Sequence, residues 1–358
     1  MRGVTIETEV LVVGLGPAGA RAAHAAAKEG RKVFAVDRRK DAGVPVQCAE
    51  FVPALLGQEI DGLEPVTRQR IDSMMTFVEA DAPDAKGDFP GRMIDRAQFD
   101  KNLVDAARKA HAECNFGLAL ESLDASGIAT LSDGTRIKAR VVIGADGPRS
   151  AVGRAIGRIN KDLVETRQIA VPLLKPHGAT DIYLSADIEG GYAWLFPKGD
   201  VANLGVGVAP AAKATLKPIL EDLHRRLVAE GRVGSEILGH TGGAIPVGGL
   251  LKPTELLGAV PVFLAGDAAG LANPVTGAGI ASAAISGTLA GEFAVQWLRG
   301  NIEAPREYAE EIEALFGKAL RRALARRKEL LDRYKDGGRP DTEDLRGGWI
   351  AFDAYWAA

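Results

Sequence analysis

The sequence predicts an α/β fold: a parallel-sheet domain assembled from separate stretches, an antiparallel-sheet domain inserted into it, and a helical C-terminal region. Three observations lead there. The N-terminus carries a strand–helix–strand pattern, the stretch from about 168 to 208 alternates in the manner of antiparallel strands, and residues 261–264 return to a short, wholly apolar strand. The expected division is 1–75, 92–160 and 255–300 for the first domain, 76–91 and 161–254 for the second, and 301–358 for the helical region.

Each element has its own signal. Val10–Val13 is an apolar run stopped by Gly14, the mark of a strand buried on both faces. Ala18–Lys28 is alanine-rich and reads as a helix, and Lys32–Val36 is a second strand that completes a βαβ unit. Between Arg92 and Ala110, the spacing puts Phe99, Leu103 and Ala106 or Ala107 on one helical face. Ile128–Ser132 and Arg136–Ala139 flank Asp133-Gly134, a hairpin turn. Val141–Ile143 reads as another buried strand, stopped at Gly144-Ala145-Asp146-Gly147. After Pro261–Leu264, the stretch Gly277–Leu298 reads as a long alanine-rich helix. Phe316–Lys335 predicts a basic helix broken by Gly337-Gly338-Arg339-Pro340.

Composition narrows the function classes. Of the 358 residues, 46% are apolar and 25% charged, so a sizeable core can form. A net charge of -3 gives no global reason to bind nucleic acid. No apolar run reaches the length of a membrane span, and the first residues run into a strand without a cleavage signal. Two cysteines, Cys48 and Cys114, are too few for a disulfide framework and fit a reducing compartment, so a cytoplasmic protein is expected. The five histidines show no metal-ligand spacing, and no metal is predicted.

Gly14-Leu15-Gly16-Pro17-Ala18-Gly19 fits the G-x-G-x-x-G dinucleotide fingerprint, and its context is complete: strand before, helix after, Asp37 at the end of the next strand. Gly14 makes the tight turn, Gly16 admits a pyrophosphate, and Gly19 lets the helix pack close to the sheet. Main-chain N–H groups at the helix start face the phosphates with the positive end of the helix dipole. Asp37 follows Gly14 by 23 residues, near the roughly 20 expected of a ribose-binding carboxylate. Two later features point to FAD rather than NAD. Asp267 ends a buried strand, and Asn273–Gly279 opens a helix whose N-terminus can face the flavin and stabilise the anion formed on reduction. A single complete fingerprint leaves the electron donor as NADPH bound transiently at the flavin face or a ferredoxin-type carrier.

With those residues in place, the chain resembles the geranylgeranyl reductase family of flavoproteins. The likeness is carried by GLGPAG with Asp37, Pro45–Glu50, Ile94-Asp95-Arg96 with Phe99-Asp100, Gly144–Gly147, Tyr192–Lys198 and Leu264–Gly270, in order from about residue 8 to 300. It implies a glutathione-reductase-like FAD-binding Rossmann domain of the p-hydroxybenzoate-hydroxylase type, with an inserted antiparallel-sheet substrate domain. It also implies saturation of C=C bonds in isoprenoid chains, as in lipid biosynthesis. The FAD contacts expected from motif and resemblance together are Gly14, Gly16, Pro17, Ala18, Gly19, Asp37, Arg38, Cys48, Arg96, Asp146, Gly147, Gly266, Asp267, Gly277, Gly279 and Ile280.

Saturating an alkene with reduced flavin needs a hydride on one carbon and a proton on the other. Cys48 and Tyr192 are the donor-capable candidates, with Glu50 holding the cysteine or a water. Tyr192, Trp194 and Phe196 alternate on one strand and are expected to form an aromatic wall for an apolar substrate, against the plainer reading of a sheet packed on the core. Lys198 reads as no more than a strand-end charge. The basic stretch 318–335 is weighed as a peripheral membrane contact and as a solvated helix face, the latter favoured. The terminal Trp349, Phe352, Tyr355 and Trp356 either cap the pocket or mediate dimer contacts. Two rival functions use the same fold: a flavin-dependent monooxygenase, and a flavin-binding redox carrier without a small organic substrate.

Overall fold

The computed structural model describes residues 5–54 and 61–357. Of the stretch 1–75, therefore, residues 1–4 and 55–60 lie outside the described residues. An eight-stranded sheet forms the first layer. Its main path runs Thr254–Leu257, Val260–Leu264, Arg136–Gly144, Thr5–Val13, Val33–Asp37, Glu113–Phe116. The last five of these are parallel, and Thr254–Leu257 is an antiparallel edge. Val10, Leu11 and Val12 are fully buried, so both faces of the parallel region are covered.

Arg136–Gly144 is one nine-residue strand, where the sequence suggested two. It pairs with Thr5–Val13 along its whole length; its first half alternates exposed and buried and carries the hairpin with Ile128–Leu131, while its second half is buried throughout and pairs also with Val260–Leu264. The change of pattern marks the point where the strand passes under the helices, not a break in the chain.

Helix Pro17–Lys28 packs against helix Ile280–Leu298 so closely that a Cβ on Gly287 would stand 2.0 Å from the carbonyl oxygen of Ala18. Small residues on both surfaces bring the two N-termini to the same end of the sheet, the carboxyl end of its strands, where ligands bind in α/β folds. The second helix begins at Ile280, not Gly277. Asn273 Oδ1 accepts the N–H groups of Val275 and Thr276, and Gly277 takes φ +69°, so residues 273–279 form a turn ahead of the helix.

The second large sheet holds Leu163–Pro172, Ala179–Leu184, Ala193–Lys198 and Val201–Val208. It is antiparallel except for one pairing: Ala179–Leu184 runs parallel to Ser73–Val78, a strand supplied from far upstream. Ser73–Val78 crosses the expected boundary at 75/76 and joins this sheet whole. Thr254–Leu257 likewise crosses the boundary at 254/255 and pairs in the first sheet. A three-stranded sheet (Phe51–Pro53, Gly91–Ile94, Thr67–Ile71) lies between. Helix Arg96–Lys109 follows, capped by Asp95 and burying Phe99, Leu103 and Ala107, not Ala106. The basic C-terminal helix spans Lys318–Asp332 and continues a π-helical turn at Glu313–Gly317.

Candidate active site

One cavity of about 1410 Å³ joins the two large sheets. That exceeds the roughly 300–1,000 Å³ of an ordinary ligand pocket, and leaves room for a dinucleotide and a second, elongated molecule. Gly14, Gly16, Pro17, Ala18, Asp37, Arg38, Cys48, Glu50, Arg96, Asp146, Gly147, Tyr192, Trp194, Phe196, Asp267, Gly277, Gly279 and Ile280 all line it. Gly19 and Gly266 do not. They act one layer back: a Cβ on Gly19 would stand 1.7 Å from the Gly14 carbonyl oxygen, and Gly266 packs against Ala18 and Ala283.

The nucleotide end is built from main chain. Gly14 sits at φ +94°, and a Cβ there would stand 2.3 Å from the Ala145 oxygen, so only glycine closes this turn. The helices starting at Pro17 and Ile280 both lack a side-chain cap, leaving N-terminal N–H groups directed at the cavity. Asp267 presents its carboxylate to the cavity, and burial raises its pKa to about 6 even with Arg96 opposing. Uncapped helix starts and a carboxylate without a partner fit a pyrophosphate and hydroxyl groups. Asp146 differs. Its carboxylate accepts Ser150 Oγ and the N–H groups of Ala151 and Val152, and so caps the short helix Ala151–Ala155.

Asp37 holds a surprise for the sequence reading. Its carboxylate accepts Leu15 N at 2.7 Å, Arg39 N at 2.8 Å, Arg39 Nε at 3.1 Å and Arg39 Nη2 at 2.8 Å. Those four bonds fill its acceptor sites. Burial alone would raise its pKa, but Arg39 outweighs this and holds it below the usual carboxylate range. With Arg39 in this position, Asp37 has no acceptor site left over for a ligand hydroxyl. Arg39 was missed in the sequence, although its i,i+2 spacing from the strand-end aspartate was a signal.

At the other end, side chains make the wall. Trp349, Tyr192, Trp194, Phe196, Phe51 and Phe89 follow one another with ring centroids 4.7, 5.6, 6.2, 5.8 and 5.7 Å apart. Tyr192 precedes its strand, and its hydroxyl donates to Thr276 O at 2.6 Å, tying the aromatic wall to the turn before helix Ile280–Leu298. Trp349, Ile350, Tyr355 and Trp356 line the cavity, so the C-terminal aromatics form part of its wall.

Between the two ends lies the Pro45–Glu50 segment. Cys48 Sγ accepts the Glu50 N–H at 3.1 Å and lies against the Arg96 guanidinium, whose Nε is held by Asp100 at 2.7 Å. Burial pushes the thiol pKa up, and Arg96 opposes the rise. Glu50 does not face the cavity as a free base: its carboxylate accepts Arg96 N at 3.0 Å, Asn203 Nδ2 at 2.9 Å and Lys198 Nζ. Lys198 is thus the half-buried ion-pair partner of a buried carboxylate, more than the strand-end charge its position suggested. Gln168 donates to Cys48 O at 3.2 Å and accepts from Trp194 Nε1 at 3.0 Å. Single polar residues on a strand gave no motif by which Gln168 and Asn203 could have been found.

The catalytic domain of geranylgeranyl reductase matches residues 165–245, and the lycopene cyclase protein family matches residues 9–164. Digeranylgeranylglycerophospholipid reductase of Methanocella arvoryzae is 36% identical over 340 residues, covering 88% of this chain and 85% of its own length. The chain belongs to the geranylgeranyl reductase family. Digeranylgeranylglycerophospholipid reductase of Methanosarcina acetivorans is 33% identical, covering 80% of this chain and 75% of its own. A geranylgeranyl bacteriochlorophyll reductase-like protein from Thermoplasma acidophilum superposes with TM-score 0.82 at 25% identity, covering 93% of this chain and 92% of that one. PqsL of Pseudomonas aeruginosa shares the fold, with TM-score 0.73 at 18% identity over 95% of this chain and 98% of its own. As a member of the geranylgeranyl reductase family, the protein is an FAD-dependent oxidoreductase with the flavoprotein fold that its sequence predicted.

Among the described residues, no helix is long and apolar enough to cross a membrane, and no cluster of side chains suits a metal ion. Several basic residues of the stretch 318–335 form ion pairs at the surface. Arg321 pairs with Glu313, Arg326 with Glu329, Arg333 with Asp344 and Lys335 with Asp332.

Proposed function

We propose that this protein saturates C=C bonds of isoprenoid chains, as the names of its relatives indicate for them, and that Cys48 supplies the proton. The observation that carries the reading is the Cys48 thiol. It lines the same cavity as two uncapped helix N-termini on one side and a file of aromatic rings on the other. The residues that would hold FAD are Gly14–Ala18 at the pyrophosphate, Asp37 at the ribose, and Arg96, Asp267 and Gly277–Ile280 at the flavin side. Reduced FAD supplies the hydride.

The chain's own residues account for the rest. Tyr192, Trp194 and Phe196 hold the apolar chain, which enters where Leu315 and Trp356, each about half exposed, line the cavity. Burial keeps Cys48 as a neutral thiol at rest. Once the proton moves to the alkene carbon, the resulting thiolate is met by Arg96 and the Glu50 N–H, which favour the charged form. Tyr192 is the weaker donor, since its hydrogen is committed to Thr276 O and burial raises its pKa. Glu50 positions the loop. Electrons arrive through a transient contact, from NADPH or a ferredoxin-type carrier.

The test is anaerobic mixing of the reduced holoenzyme with a geranylgeranyl-chain lipid. Reoxidation of the flavin with gain of hydrogen by the lipid is expected. Turnover only with oxygen, and with an oxygenated product, would establish the monooxygenase rival. Cys48→Ser should retain FAD and slow turnover at least about 100-fold, in the range of general acid catalysis; an unchanged rate removes Cys48 from the chemistry.

A further inference from the structure

Pro45–Glu50 forms no regular element, and in the sequence it follows Val33–Asp37, a strand of the first sheet. Its main chain is nevertheless held by the second large sheet. Val46 O accepts from Thr241 Oγ1, Cys48 O from Gln168 Nε2 at 3.2 Å, and Ala49 O from Asn203 Nδ2 at 3.1 Å. All three donors stand on neighbouring strands of that sheet. The thiol therefore rides on the layer that also carries Trp194 and Phe196.

Gln168 differs from Thr241 and Asn203 in having a second bond that leaves the loop. It is 5% exposed, and its Oε1 accepts from Trp194 Nε1 at 3.0 Å. An indole N–H only donates and a peptide carbonyl only accepts, so the amide fits in one orientation, oxygen on the ring and nitrogen on the loop. The indole reaches Gln168 across Gly205, which is paired with Gln168 on one side and Trp194 on the other. A Cβ on Gly205 would stand 2.3 Å from Trp194 Cζ2, so the ring lies against the bare backbone of the strand between them. A buried amide satisfied at both ends resists movement at either, because freeing one end leaves a desolvated polar group.

We propose that Gln168 is a positioning residue: it ties the Cys48 loop to the Trp194 ring, so that the thiol and a chain lying on the aromatic wall keep one register. A misplacement of about 1 Å between reacting groups costs on the order of 100-fold in rate, so the tie bears directly on turnover. This catalytic consequence rests on the function proposed above; the tie itself does not.

The experiment follows alkylation of Cys48 by iodoacetamide in the holoenzyme, resolved by peptide mass spectrometry, with Cys114 on the first sheet as internal reference. Gln168→Met removes both bonds, and Trp194→Phe removes only the donor on the ring. Gln168→Met should speed Cys48 alkylation at least about five-fold, the weight of one hydrogen bond, and leave Cys114 unchanged. Trp194→Phe should speed it too, and the double variant should be no faster than Gln168→Met, since both act through one link. With a geranylgeranyl-chain lipid, Gln168→Met should lower kcat at least about ten-fold at unchanged KM, the mark of lost orientation and not of lost binding. Unchanged Cys48 alkylation or unchanged kcat in Gln168→Met, single effects that multiply in the double variant, or an equal rise at Cys114 overturns the proposal. A native holoenzyme that reduces no prenyl chain defeats the function above, and the alkylation rates still decide the tie. Should Gln168→Met fail to fold, Gln168→Glu carries the same readout: it keeps the shape and an acceptor for Trp194, and its carboxylate offers Cys48 O no donor.

Discussion

At the nucleotide end of the cavity the ligand-facing groups are peptide N–H groups at two helix starts, brought together by Gly14, Gly19 and the close packing of Ala18 on Gly287. At the opposite end they are side chains, six aromatic rings from four separate stretches, and Cys48 and Gln168 line the cavity between the two ends. A main-chain site is fixed by local conformation and tolerates almost no added atom. A side-chain site is fixed by tertiary pairing, so its weak points are buried polar contacts between distant segments.

Four substitutions probe that contrast. The largest effect is expected at Lys198. Lys198→Met leaves Glu50 buried beside an apolar group and should cost about 3–5 kcal/mol in denaturant unfolding. The double variant with Glu50→Gln should recover much of the loss; additive costs would show that the pair does not clamp the Cys48 loop. Gly14→Ala forces an L-residue into φ +94° against the Ala145 oxygen. About 3 kcal/mol and most of the bound flavin should be lost, and a fully yellow variant would show that the turn can relax.

Asp267 sharpens the comparison through pH. Its pKa rises from 3.8 in the unfolded chain to about 6 in the folded protein, so folding favours the protonated form. The stabilisation this gives is full below pH 4 and is lost as pH rises through 6, by at most about 3 kcal/mol. In FAD-free protein, the melting temperature between pH 4 and 7 should therefore fall relative to Asp267→Asn. Parallel curves would mean the carboxyl is better solvated than its burial implies. The smallest effect is expected for Tyr192→Phe, which removes the hydrogen bond to Thr276 O and should cost about 1 kcal/mol, with FAD retained. A loss of flavin there would mean that the aromatic wall also sets the nucleotide end.

Legibility follows the same division. The glycine fingerprint, Asp37 and Asp267 were readable because each is a local rule: a glycine that admits no Cβ, or an acid at the end of a buried strand. Gly19 and Gly266, expected at the cofactor, lie one layer behind the cavity lining, since the motif records a backbone requirement without saying which side of it faces the cavity. Glu50 was named for its chemistry and is instead held by Lys198, Asn203 and the Arg96 N–H. The strand Arg136–Gly144 was divided in two because alternation changes where burial changes.

The sequence by itself determined the strand–turn–helix–strand unit, because glycine and acid spacing there has one physical solution, and the flavoprotein family through the resemblance that motifs along the chain carry together. Tertiary structure decided the pairing of Glu50 with Lys198 and the position of Arg327, whose Nε and Nη2 are buried without a hydrogen-bond partner among the described residues. Those facts depend on which distant side chains meet in a low-dielectric interior. There a partner found or missing changes the energy of a charge by far more than any neighbour along the chain can.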